Sequence, residues 1–179
     1  MCELIKKLPT TLQIHCLQYL ITPNERILLV GDEGSGKTTF IQKIKGEPFS
    51  EKYYPTFFYE FYTINKRVKI IEVGGQWFFS SAYKKDINPT NIIIVVNVTS
   101  YMIMYNSVNM YIQKYRKYNV PFTIIVNKTD IPHALWNKYY LIYKIQNIKP
   151  PLLHPVTIHL VSFKNDNITD KFSYIVNEY

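Results

Sequence analysis

Gly31-Asp32-Glu33-Gly34-Ser35-Gly36-Lys37-Thr38-Thr39 satisfies the pattern G-x-x-x-x-G-K-[ST], a glycine-rich turn that joins a strand to a helix. On one side Arg26-Ile27-Leu28-Leu29-Val30 reads as a buried strand, and on the other Thr39-Phe40-Ile41-Gln42-Lys43-Ile44 reads as an amphipathic helix. Glycines let successive backbone N–H groups turn inward around a phosphate, and the helix N-terminus adds its positive dipole. In such a loop the backbone of Glu33, Gly34, Ser35, Gly36, Lys37, Thr38 and Thr39 would wrap the phosphates. Lys37 would reach β- and γ-oxygens, and the Thr38 hydroxyl would ligate Mg²⁺.

Working outward, a chain of 179 residues with 47% hydrophobic residues can bury a full core and is sized for one nucleotide-binding domain. The net charge of +8 is spread as lysines among Asn, Ile and Tyr, without an arginine-rich block or a basic helix. That pattern reads as a diffuse solvated surface: no nucleic-acid site is expected, and only weak membrane-surface contact is left open. Cys2 and Cys16 lack metal-ligand spacing and fit a reducing compartment. The longest apolar run, Ile92-Ile93-Ile94-Val95-Val96, suits a buried strand and is far too short to span a bilayer. The sequence shows no signal peptide and no prenylatable cysteine, and Cys2 stands where a myristoylation signal needs glycine. A cytoplasmic, monomeric protein without an evident lipid anchor is therefore expected, unless Cys2 is acylated.

Strand and helix signals alternate along the rest of the chain. Strands are predicted over 56–64 and 68–73 as a hairpin turning at Asn65-Lys66, then over 92–98, 122–127 and 159–162. Helices are predicted over 105–117, 133–145 and 170–179. Such alternation points to an α/β fold with an open, mostly parallel sheet covered on both faces, and ligand loops at the carboxyl ends of the strands.

A second motif, Asn127-Lys128-Thr129-Asp130, follows the strand Phe122-Thr123-Ile124-Ile125-Val126 directly. A carboxylate only accepts hydrogen bonds, so Asp130 can receive both N–H donors on one edge of guanine, a pair that adenine does not offer. Lys128 would lay its stem over the purine plane, and Asn127 would tie this loop to the phosphate loop.

With these motifs in order, the chain resembles the Ras-like small GTPases over residues 24–179. Tyr53-Tyr54-Pro55-Thr56 resembles the first switch, Glu72-Val73-Gly74-Gly75-Gln76 the second, and Ser162-Phe163-Lys164 the loop whose backbone contacts the guanine carbonyl. The resemblance implies a P-loop GTPase domain with a mostly parallel six-stranded sheet flanked by helices, binding GTP or GDP with Mg²⁺. It implies that Thr56 binds Mg²⁺ through its hydroxyl and the γ-phosphate through its amide, and that Gly75 binds the γ-phosphate through its own amide. Gln76 would orient the attacking water, so Lys37, Thr56 and Gln76 would carry catalysis. Val73-Gly74-Gly75-Gln76 resembles the Arf branch, whereas Tyr53 to Thr56 and Val98-Thr99-Ser100 resemble the Ras and Rab branches.

Two residues depart from the family. Glu72 stands where members nearly always have Asp, which contacts Mg²⁺ through water. The extra methylene either weakens ion binding or is absorbed by a small backbone adjustment. Glu33 occupies a loop position where many members have a small residue close to the γ-phosphate. Its carboxylate would repel developing charge and crowd an incoming arginine, giving slow hydrolysis, or it points to solvent and does little. Tyr53, Tyr54, Phe57, Phe58 and Tyr59 flank Thr56, and Trp77, Phe78 and Phe79 follow Gln76, so effectors and regulators are expected at the switches.

Residues 1–23 lie outside the minimal domain as a helical extension, with Leu12, Cys16 and Leu20 on one stripe. The stripe packs on the domain, or it resembles the first helix of an F-box or the elongin-binding pattern of SOCS boxes. The functional reading is therefore a GTP/GDP switch with slow hydrolysis. The alternative is a hydrolysis-impaired, GTP-bound adaptor that links to a ubiquitin ligase through the N-terminal helix.

Overall fold

A computed structural model describes residues 25–52, 54–75, 87–98, 101–131, 138–148 and 151–176. Among them, six strands form one sheet: β1 (Glu25–Gly31), β2 (Tyr59–Thr63), β3 (Val68–Val73), β4 (Asn91–Asn97), β5 (Phe122–Asn127) and β6 (Val156–Leu160). The spatial order is β2-β3-β1-β4-β5-β6, with β2 antiparallel to β3 and every other pair parallel. The helices are α1 (Lys37–Ile44), α2 (Tyr101–Tyr115), α3 (Lys138–Gln146) and α4 (Ser173–Val176). The architecture is the α/β one that the alternation of signals predicted.

Parallel strands buried on both faces need continuous apolar runs, and β1, β4 and β5 have them. Successive side chains alternate between two cores. Leu28, Ile92, Ile94 and Ile124 face a core closed by Met104, Val108 and Ile112 of α2 and Leu141 of α3. Ile27, Leu29, Ile93 and Ile125 face the other, closed by Phe40, Ile41 and Ile44 of α1 and Ile175 of α4. No helix among the described residues is long and apolar enough to cross a membrane.

Several boundaries differ from those predicted. The hairpin ladder begins at the Tyr59–Val73 pair, not at Thr56, because residues 56 and 57 wrap over Gly74. A Cβ on Gly74 would lie 2.3 Å from the Thr56 carbonyl oxygen. The last strand spans 156–160 rather than 159–162: Val156 already pairs with Phe122, and the chain turns at Phe163. Helix α2 starts four residues before the predicted 105 and tightens into a 3₁₀ turn over Arg116–Tyr118, which stops at Asn119 in the left-handed region, φ 53°. The closing helix is described only over Ser173–Val176: residues 169–172 form turns, and 177–179 of the predicted 170–179 lie outside the described residues. The predicted start of the 133–145 helix and the whole of the 1–23 extension lie outside the described residues.

Candidate functional site

The phosphate-loop sequence leaves β1 and enters α1 through Gly36, whose φ of 101° is a left-handed conformation that favours glycine. A Cβ there would lie 2.5 Å from Asn127 Nδ2 and 3.1 Å from the Phe163 ring, so any side chain would collide with two other motifs. The first helical bond runs from the Phe40 N–H to the Gly36 carbonyl, 2.8 Å, so the amides of residues 37–39 precede the helical ladder and favour an anion. Lys37 is buried, and its Nζ donates to the Gly31 and Asp32 carbonyls at 3.0 and 2.9 Å. Burial pushes its ammonium below the usual lysine range, while Glu72, Asp32 and Glu33 pull it back up.

Beside the ammonium, three hard oxygens converge. The Thr38 hydroxyl donates to Glu72 Oε1 at 2.7 Å, the Thr56 hydroxyl approaches the same oxygen at 3.3 Å, and the two hydroxyls lie 3.5 Å apart. Three segments are brought together here: the start of α1, the stretch before β2 and the end of β3. Glu72 is 1% exposed, and burial raises its carboxyl above the usual range against the opposing Thr38 bond and the Lys37 charge. Its second oxygen accepts from the Tyr62 hydroxyl at 3.3 Å.

The Asn127-Lys128-Thr129-Asp130 motif lies at the other end. Asn127 is buried, its Nδ2 donating to the Ser35 carbonyl at 2.9 Å and its Oδ1 accepting from the Phe163 N–H at 3.1 Å. One side chain thus joins the phosphate loop, the 127–130 loop and the 162–164 loop. Ser162 is buried, with its N–H on Asp166 Oδ2 at 3.0 Å, and its hydroxyl holds the exposed Asp130 carboxylate below the usual range, assisted by the Lys164 and Lys128 charges. Lys164 also forms an exposed ion pair with Glu51 at 3.3 Å.

Glu33, Gly34, Gly36, Lys37, Thr38, Thr39, Thr56, Glu72, Gly75, Asn127, Lys128, Asp130, Phe163 and Lys164 line one cavity of about 300 Å³. Ser35 and Ser162 sit buried beneath its walls. Gly75 packs on the phosphate loop so closely that a Cβ would lie 2.4 Å from the Glu33 nitrogen. Glu33 itself is exposed at the cavity wall. Gln76 and Tyr53 lie outside the described residues, as do Trp77, Phe78 and Phe79.

Sequence reasoning missed Phe49, Ser50, Glu51 and Lys52, which close the cavity between α1 and Thr56. It also missed Tyr111 of α2, whose hydroxyl donates to Asp32 Oδ1 at 3.2 Å. These residues carry no local signal: only the path of the chain and the packing of α2 bring them to the loop.

A model described as the ADP-ribosylation factor family matches residues 13–179 of this chain. The mouse protein called ADP-ribosylation factor-like protein 10 is 26% identical over 114 residues, which is 61% of this chain and 47% of that protein. The matched stretch thus spans about half the length of this curated relative.

Proposed function

Because the chain belongs to the ADP-ribosylation factor family of small GTPases, we propose that it is a GTP/GDP switch that binds guanine nucleotide with Mg²⁺ and hydrolyses GTP slowly. The observation that carries the reading is the convergence of Lys37, Thr38, Asn127, Lys128 and Asp130 on one cavity. Amides of the phosphate loop and Lys37 take the phosphates, and Asp130 accepts from the guanine edge. Asn127 keeps these two ends at a fixed separation, so one ligand engages both.

The donor set fits a magnesium ion. Mg²⁺ takes oxygen ligands at 2.0–2.1 Å in near-ideal octahedral geometry, which sets neighbouring ligand oxygens about 2.9 Å apart. Thr38 Oγ1, Thr56 Oγ1 and Glu72 Oε1, separated by 2.7 to 3.5 Å, are close to that spacing. These residues would hold the ion, which when bound supplies positive charge against the β- and γ-phosphates. Thr56 belongs to a segment without regular secondary structure, so its grip on ion and γ-phosphate is what a switch would release on hydrolysis.

Slow turnover follows from Glu33, a carboxylate on the cavity wall beside Gly75. Negative charge there opposes the charge that spreads over the transferred phosphoryl oxygens. Effectors and regulators would meet the switches through the exposed Tyr54, Phe57, Phe58 and Phe61, of which Tyr54 lines the cavity.

The test is to denature the purified protein, identify the nucleotide it releases, and follow conversion of added GTP with Mg²⁺. Guanine nucleotide and slow conversion, accelerated at least tenfold in Glu33→Gly, is the expected result. Equal single-turnover rates in the two proteins would remove the role of Glu33, and an empty site that refuses guanine nucleotide would remove the switch.

A further inference from the structure

We propose that Tyr111 is a positioning residue of the nucleotide site: through Asp32 it holds the phosphate loop in the shape that receives a β-phosphate, and so sets how fast nucleotide leaves. The proposal rests on the nucleotide-switch reading above. Tyr111 stands 79 residues beyond Asp32, on the side of α2 that closes one core, and is 8% exposed. Its ring stacks on Tyr115, with 6.5 Å between centroids and 6° between planes, and its hydroxyl lies 3.2 Å from Asp32 Oδ1. Burial and the neighbouring Asp32 carboxylate push the phenol far above the ordinary tyrosine range, so it keeps its proton and donates.

What Asp32 holds in turn gives this bond its leverage. The Asp32 carbonyl accepts from the Lys37 ammonium at 2.9 Å and from the Ser35 N–H at 3.2 Å. A shift of Asp32 therefore moves both the lysine that meets the phosphates and the amide turn that wraps them. Neighbouring loop residues have tethers of their own. Gly31 is pressed against β4, where a Cβ would lie 2.0 Å from the Val95 carbonyl oxygen. The Gly34 and Ser35 carbonyls accept from the Asn97 and Asn127 side chains at 3.3 and 2.9 Å. Asp32 lies between these supports, and among the described residues the Tyr111 hydroxyl is the hydrogen-bond partner of its carboxylate. Helix α2 is thereby tied to the loop, and a loop already in shape costs less to order around a nucleotide.

Tyr111→Phe removes the hydroxyl and keeps the ring in its stack. Release of a fluorescent GDP analogue with Mg²⁺ present should be about tenfold faster than from wild type, the size of a coupling through one hydrogen bond to a charged group. Phosphorus NMR of bound GDP should show the β-phosphate resonance displaced, a signature that a loss of core packing alone does not move. Asp32→Ala, at the half-buried loop position itself, should displace the same resonance, so a second variant decides the matter where the core rejects phenylalanine. In the Asp32→Ala background, Tyr111→Phe should have no further effect on release, because the partner is already gone. Equal release rates in wild type and Tyr111→Phe, or an unmoved β-phosphate resonance in either variant, would overturn the positioning role and leave the switch standing. Additive effects of the two substitutions would also overturn it, by assigning the change in Tyr111→Phe to the packing of α2. Failure of wild type to bind GDP would overturn the switch itself, and the proposal with it.

Discussion

At the scale of single residues, the proposed function makes the selectivity of the cavity rest on whether Asp130 is charged. Its carboxylate is exposed, and the Ser162 hydroxyl, with help from Lys164 and Lys128, holds it below the ordinary aspartate range. A lowered pKa keeps the group ionised through acidic pH, and its acceptor pair is lost only as pH falls through that lowered value. Guanine affinity should therefore stay flat from about pH 8 to about pH 5, far above the region where aspartate titrates. Titration of a fluorescent GDP analogue across that range checks it, and a fall between about pH 7 and about pH 5 would assign the dependence to another group. In Asp130→Ala, the loss of hydrogen bonds to a charged acceptor, about 1.5–3 kcal/mol, should weaken GDP binding by roughly 10- to 100-fold. Competition with unlabelled GDP and ATP reads the change, and discrimination between the two nucleotides should shrink along with the affinity.

At the scale of elements, Asn127 at the end of β5 is the knot between loops. Removing it in Asn127→Ala leaves the Ser35 carbonyl and the Phe163 N–H without their partner, and both residues are buried. Each unsatisfied buried group costs about 1–3 kcal/mol, so with two of them the folded state should lose about 2–6 kcal/mol in urea unfolding. GDP should also dissociate faster, because the phosphate and base ends are no longer held in register. A variant with full stability and unaltered dissociation would show that the loops are held by α1 and β6 packing instead. This connection was legible in the sequence because the motifs write backbone requirements into residue types: glycine where φ is positive at Gly36, an amide side chain where two loops meet. Buried strands were legible for a similar reason, since Ile92 to Val96 need apolar neighbours on both faces. Phe57 and Phe58 misled the reading of the hairpin start, because aromatic residues suit strands, yet these two are more than half exposed and precede the ladder. Tyr62 and Tyr111 gave no signal because their contacts depend on strand register and on how α2 packs, which are properties of the assembled fold.

For the whole molecule, the cavity is a seam through the sheet's carboxyl edge, and its walls come from segments far apart in sequence. Loops after β1, β3, β5 and β6 and the stretches 49–52 and 54–56 all contribute, so the site exists only when the entire sheet is formed. A ligand of that site binds the folded state and not the unfolded chain, and it must then raise global stability by mass action. At about one hundred times its dissociation constant the gain is about 2.7 kcal/mol. For a domain of this size each kcal/mol moves the melting temperature by about 2–4 °C, so GDP with Mg²⁺ should raise it by roughly 5–11 °C. ATP at the same concentration should produce a much smaller shift, since adenine offers Asp130 no matching donor pair. Chelating the divalent ion while GDP is present should lower the melting temperature again, because Thr38 and Glu72 then lose the charge that draws the start of α1 and the end of β3 together. Scanning calorimetry of the same preparation without ligand, with each nucleotide, and with GDP plus chelator separates the contributions. Equal shifts from GDP and ATP would mean that the phosphate loop alone holds the ligand, with the 127–130 loop outside the binding event.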